Sequence, residues 1–199
     1  PIKFYFMSSD YVFDGKTGGY TDQAQTCPIT EYGRQKAEVE RELPNIMDNY
    51  AILRLSKIYG TSWKDKTLID DLASSLLKGD KISVASDQFF SPTHVEDVVK
   101  MTLYVQEQNA RGLINLCHSQ AYSRQQIAEK LVDALGVSPS LLCSTKLHAI
   151  SGMEYRPLNT SLICSPVLAK IQTSLWTVDR AVKTVAANWM QNEVNVAVV

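Results

Sequence analysis

The run from Ile2 to Met7 is apolar and aromatic, and it stops abruptly at three polar residues, Ser8, Ser9 and Asp10. A strand without polar alternation is buried on both faces, as in a parallel sheet covered by helices. Parallel pairing requires crossover connections, and the carboxyl edge of such a sheet is where ligands bind. Ser8, Ser9 and Asp10 are therefore delivered to a ligand edge. Tyr50 to Tyr59 reads as a second, mostly apolar strand through Ala51-Ile52-Leu53 and Ile58, ending at Gly60. Gly112 to Cys117 reads as a further strand, and Lys81 to Ala85 as a short one.

Helices fit between these runs. Pro28 to Thr30 punctuates the start of a helix over 31–43, with Thr30 as cap, a buried side at Ala37, Val39 and Leu43, and Pro44-Asn45 as the stop. Thr67 reads as the N-cap of a helix over 68–78, with Asp70 and Asp71 in the first turn and Gly79 behind it. Thr93 to Glu96 fits a capping box ahead of Val98, Val99, Met101, Leu103 and Val105. Glu96 and Asp97 are then helix-capping residues and not catalytic ones. Ser123 to Gln126 is a second capping box, opening a helix to Leu135 that stops at Gly136. Ser165-Pro166 suits the start of a short helix, and Thr177 to Trp189 an amphipathic one with Trp189 in the core. Trp63 is expected to dock onto the core from a loop. Gln191 to Val199 carries no assignment.

Between the first strand and the first helix, Asp14 to Thr26 is an aperiodic polar loop that can arch over the ligand edge. In the helix after it, Tyr32 and Lys36 stand four apart and share a face. An ammonium beside a phenol favours the phenolate and brings an otherwise poor acid-base group toward the working range. Ser9, at the adjacent strand end, can hydrogen-bond the same oxygen that Tyr32 protonates.

Read in order, Ser8 to Gly15, Tyr32 to Lys36, Arg54 to Gly60, Ser91 to Asp97 and Arg156 to Asn159 resemble the extended short-chain dehydrogenase/reductases that act on nucleotide sugars. Within them the chain is most similar to the dTDP-4-dehydrorhamnose reductase branch, whose pattern reads Ser-Thr-Asp-Tyr-Val-Phe-x-Gly. The resemblance implies an α/β fold, the C-terminal part of a Rossmann-like doubly wound parallel sheet, mainly residues 1–60 and 80–118. A smaller substrate-binding lobe would take mainly 61–79 and 119–199. The implied reaction is reduction of a 4-keto nucleotide sugar by NADP or NAD in its reduced form. Tyr32 would give its proton to the carbonyl oxygen, Ser9 would hold that oxygen, and Lys36 would bind the nicotinamide ribose. Ser8 would assist at the cofactor, and Lys57 and Arg156 would contact the substrate.

The pattern has departures with chemical meaning. Dehydratases of the family carry a glutamate where this chain has Tyr11, which disfavours elimination. The rhamnose-pathway reductases usually have a tryptophan where Lys57 stands, so a charged or phosphate contact replaces an aromatic one. The glycine-rich turn that brings a dinucleotide to a helix N-terminus is absent. The expectation is a piece of a longer protein, inactive alone, whose first strand is covered by a missing N-terminal half or, in a homodimer, by a second copy. Two alternatives remain open. One is a regulatory module like the non-catalytic subunit of methionine adenosyltransferase, and the other is a nucleotide-sugar epimerase.

Composition fits a globular piece and excludes other classes. With 199 residues, 45% of them hydrophobic, the chain can bury one sizeable core. A net charge of -1 with dispersed Lys and Arg gives no footprint for nucleic acid or a membrane surface. No run approaches the ~20 apolar residues that span a bilayer, and no signal peptide is evident, so the expected location is the cytoplasm. Cys27, Cys117, Cys143 and Cys164 lack Cys-x-x-Cys spacing and the three histidines are scattered, so no metal site is expected.

Overall fold

A computed structural model describes residues 2–150 and 155–197. Its strands are β1 (Phe4–Ser9), β2 (Tyr50–Leu55), β3 (Ile58–Tyr59), β4 (Ile82–Ala85), β5 (Phe89–Phe90), β6 (Thr93–His94), β7 (Gly112–Leu116), β8 (Tyr122–Ser123) and β9 (Leu142–Thr145). Its helices are α1 (Glu31–Ile46), α2 (Leu68–Leu77), α3 (Val95–Glu107), α4 (Arg124–Leu135) and α5 (Val178–Ala197). Short 3-10 segments cover Asp10–Val12, Pro139–Leu141, Leu147–Ala149 and Pro166–Ser174. The result is the mixed α/β architecture expected from the apolar runs.

Strands β1, β2 and β7 form a parallel sheet in that order, with Ser9 beside Leu55 and Leu55 beside Leu116. Their carboxyl ends are thus level, and the polar residues that follow emerge at one edge. The central strand β2 is the most buried of the three, and Ala51, Ile52 and Leu53 are at most 1% exposed, as a strand buried on both faces requires. From α3, Met101 and Val105 close one side against Ala51, Leu53, Ile114 and Leu116. A second core joins α2, α4 and α5 through Leu72, Leu76, Ile127, Leu131, Val182 and Val185. Trp63 packs against this core with its ring edge-on to the buried Trp189, at 6.1 Å. Strands β4 and β9 form a separate parallel pair, and β5 and β8 an antiparallel one.

Several caps follow the sequence. Thr30 Oγ1 accepts the Gly33 N–H at 3.0 Å. At α4, Ser123 and Gln126 complete both bonds of the capping box, and Gly136 ends the helix in the left-handed conformation. Elsewhere tertiary contacts override local pattern. The ladder of β2 breaks after Leu55, so Tyr50 to Tyr59 is not one strand, and β3 pairs with β6 instead. Helix α1 does not stop at Pro44 but runs to Ile46, because a proline in the last turn removes a single bond and Met47 N–H still reaches Leu43 O. Thr67 precedes α2 without capping it, and its hydroxyl accepts the Gly60 N–H at 3.1 Å.

Thr93 does not open the next helix either. It belongs to β6, its hydroxyl donates to Ser91 O, and the cap of α3 is His94, whose Nδ1 accepts the Glu96 N–H at 3.2 Å. Val99 and Leu103 are exposed instead of backing the helix. Asp97 is buried, and besides its place in the first turn it accepts the Trp176 N–H at 2.6 Å. Helix α5 continues past Trp189 through the unassigned stretch to Ala197, while residues 198–199 lie outside the described residues, as do Pro1 and 151–154. Among the described residues no helix is long and apolar enough to cross a membrane.

Candidate active site

A cleft of about 380 Å³ opens where the ends of β1 and β2 meet α1, the N-terminus of α4 and the segment around Arg156 to Thr160. Its floor begins at the sharp turn after β1. Ser9 is the N-cap of the 3-10 segment Asp10–Val12, and its Oγ accepts the Tyr11 N–H at 3.2 Å while donating to Asp10 Oδ1 at 3.1 Å. Ser9 therefore carries both duties inside the protein, and contact with a ligand oxygen requires its proton to leave Asp10.

Tyr32 and Lys36 reach the cleft from the first turns of α1. Gly33 makes this docking possible, since a Cβ there would collide with the Tyr11 carbonyl oxygen. Tyr32 is 51% exposed and meets the Tyr11 ring edge-on at 6.2 Å. Lys36 Nζ lies 5.6 Å from the Tyr32 ring centroid and 4.8 Å from that of Phe6. It donates to Met7 O at 2.8 Å, which pins the ammonium to β1 and leaves its other protons available.

Asp10 is the buried carboxylate of the site. Thr160 Oγ1 donates to its Oδ2 at 2.7 Å and Ser56 Oγ at 3.0 Å. Burial pushes its pKa up to about 6 against the lowering pull of these hydroxyls and Ser9. Between about pH 4, where an unfolded aspartate loses its proton, and about 6, the folded protein holds a proton that the unfolded chain has released. Stability from this group is therefore lost as pH rises through that window. Asp10→Asn, which does not titrate, should gain on the wild type by about 2 kcal/mol between pH 4.5 and pH 8 in urea unfolding. A pH-independent difference would mean that Asp10 titrates as an ordinary exposed carboxyl.

The cleft is also lined by cations. Lys57 follows β2, Arg124 opens α4 and Arg156 precedes Pro157, and all three line the cleft. None makes an ion pair with a carboxylate among the described residues. Burial, then Arg156, lowers the Arg124 pKa. Burial of the ammonium, followed by Arg124 and Arg156, lowers that of Lys57, although much of the lysine side chain is exposed. Buried Arg124 Nε and Gln88 Oε1 have no hydrogen-bond partner among the described residues. Buried polar atoms are almost always satisfied, so a donor and an acceptor left open beside one cleft point to a ligand that completes them.

Residues 2–190 match the RmlD substrate binding domain family. The chain belongs to that family. Within the wider set of similar proteins it is 29% identical over 177 residues to the probable low-salt glycan biosynthesis reductase Agl14 of Haloferax volcanii, covering 87% of this chain and 59% of that one. It is 28% identical over 169 residues to the methionine adenosyltransferase 2 subunit beta of Xenopus laevis, covering 80% and 50%. The crystal structure of dTDP-4-dehydrorhamnose reductase from Bacillus anthracis in complex with NADP superposes with a TM-score of 0.76 at 20% identity, covering 95% of this chain and 66% of that one. The chain thus spans between half and three-fifths of the length of these curated relatives.

In this RmlD-family chain the six residues singled out from sequence, Ser8, Ser9, Tyr32, Lys36, Lys57 and Arg156, all border the one cleft. Ser8 differs from the others in that its hydroxyl donates to Glu40 Oε1 at 2.5 Å, behind the cleft wall. Sequence reasoning placed Asp10 at the ligand edge without giving it a role, and passed over Ser56, Gln88, Arg124 and Thr160. Arg124 stood inside a capping box and was absorbed by it. The signal for Asp10 is a carboxylate directly after an apolar strand, where burial is hard to avoid.

Proposed function

We propose that in the whole protein this domain binds a nucleotide sugar and helps reduce its 4-keto group with a nicotinamide cofactor. The observation that carries the reading is the meeting of Tyr32, Lys36 and Ser9 at the carboxyl edge of a parallel sheet, in one cleft with three cations that have no ion pair among the described residues. A reduced nicotinamide would supply the hydride. The residues present fit the reacting half of such a cofactor, because Lys36 keeps donor protons free beside Tyr32 at the rim of the cleft. Tyr32 would pass its phenolic proton to the carbonyl oxygen as negative charge develops there. Ser9 would turn its hydroxyl from Asp10 to that oxygen and hold it. Lys36 would favour the resulting phenolate by its charge.

Lys57, Arg124 and Arg156 would take the negative charge of the substrate, with the guanidinium groups suited to forked contacts with a diphosphate. Arg124→Met should weaken binding of a nucleoside diphosphate to the cleft by about tenfold or more, since it removes a partly buried charged donor. Isothermal titration would read this, and unchanged affinity would remove Arg124 from the site.

A regulatory reading is favoured by the similarity to a methionine adenosyltransferase subunit. Turnover of a 4-keto-6-deoxy nucleotide sugar with NADPH or NADH by the whole protein separates the two. Product formation establishes the reductase. Cofactor binding without turnover, together with a co-purifying enzyme, establishes the module.

A further inference from the structure

Two of the four cysteines meet away from the proposed catalytic groups. Cys117 directly follows β7 and is fully buried. Cys164, half-buried, lies in the strap of residues 159–165 and packs against it in a small cluster with Val12, Phe13 and Leu162. Gln172 Nε2 donates to Cys164 Sγ at 3.0 Å. The Cys117 thiol donates to Leu162 O at 3.7 Å and the Cys164 thiol to Ser165 O at 3.9 Å. A donor on the sulfur favours its thiolate, and the Cys164 pKa is lowered, chiefly by the adjacent Cys117 and against burial. Cys27 and Cys143 are exposed, and neither sulfur has a partner among the described residues.

We propose that Cys164 and Cys117 are a site of reversible oxidation, in which Cys164 is the nucleophile toward a peroxide and Cys117 the thiol that resolves it. The Cys164 thiolate attacks one peroxide oxygen, the O–O bond breaks, hydroxide leaves, and Cys164 becomes a sulfenic acid. Cys117 sulfur then attacks Cys164 sulfur, the S–O bond breaks, and the released hydroxyl leaves as water with the Cys117 proton. Two thiols lose two electrons and one hydrogen peroxide becomes two waters. A dithiol reductant reverses the change. A disulfide holds its sulfurs about 2.05 Å apart, closer than any hydrogen-bonded pair, so the strap is drawn toward β7. That strap brings Thr160 to Asp10, so the cross-link fixes one wall of the cleft.

Hydrogen peroxide at equimolar dose, followed by unfolding, alkylation and peptide mapping, tests this on the native protein. The expected product is an intramolecular disulfide joining the Cys117 and Cys164 peptides, with Cys27 and Cys143 still alkylated. Cys164→Ser should slow peroxide consumption about tenfold, since the donor-stabilised thiolate is removed. Cys117→Ser should leave a sulfenic acid on Cys164 that dimedone traps. In Cys27→Ser/Cys143→Ser, which leaves the packing around the pair untouched, the disulfide should form unchanged. Recovery of Cys117 and Cys164 as free thiols while Cys27 or Cys143 carries the oxidation overturns the proposal.

Discussion

Replacing Tyr32 by phenylalanine in the whole protein should lower turnover of a 4-keto nucleotide sugar by about 10²- to 10⁴-fold, the range for loss of a positioned general acid. The ring is half exposed and makes only an edge contact with Tyr11, so removing one oxygen leaves the packing of α1 intact. Affinity for the nicotinamide cofactor should stay within about twofold, because Lys36 keeps its bond to Met7 O without help from the phenol. Single-turnover kinetics with separately measured cofactor binding distinguishes the terms. A variant that retains more than about a tenth of wild-type turnover would show that another group or water gives the proton. Parallel loss of cofactor affinity would instead assign Tyr32 to binding.

The sheet and the catalytic candidates were legible because they rest on local signals. An apolar run ending in Ser8-Ser9-Asp10, a Thr30 cap and a tyrosine one turn before a lysine each act over a few residues. What remained hidden depends on partners far apart in the chain. The imidazole of His94 could not be told from Thr93 as a cap until β3 claimed Thr93 for a strand. Asp10 draws donors from Ser56 and Thr160, 46 and 150 residues away, so its burial is a property of the assembled fold. The Cys117–Cys164 contact is equally non-local, and no spacing rule would have paired them. Arg54 was hardest to foresee, because no local signal marks a charged residue inside the apolar run of β2 for burial, yet it is 1% exposed.

Arg54→Ala should cost about 3–5 kcal/mol of folding stability, the range for removing one partner of a buried ion pair. Its Nη2 donates to Glu40 Oε2 at 2.6 Å, its Nε to Glu40 Oε1 at 3.0 Å, and its Nη1 to Asp22 O at 3.1 Å. The guanidinium carbon also lies 5.0 Å from the centroid of the Phe13 ring. Alanine would strand the Glu40 carboxylate, itself only 7% exposed, with Ser8 as its remaining donor. The cost therefore reflects an uncompensated charge more than the net worth of the pair, and the double variant Glu40→Leu/Arg54→Met should recover more than half of it. Equilibrium urea unfolding of the two single variants and the double closes the cycle. A cost below about 1 kcal/mol for Arg54→Ala would mean that water or a shifted carboxyl proton replaces the guanidinium. The pair also bears on the site, since Tyr32, Lys36 and Glu40 follow one another at four-residue intervals along one face of α1. By gripping the third of these from β2, Arg54 sets the rotation of the helix that presents the first two to the cleft. The double variant should then keep most of its stability while losing turnover, because leucine and methionine fill the volume without fixing that angle.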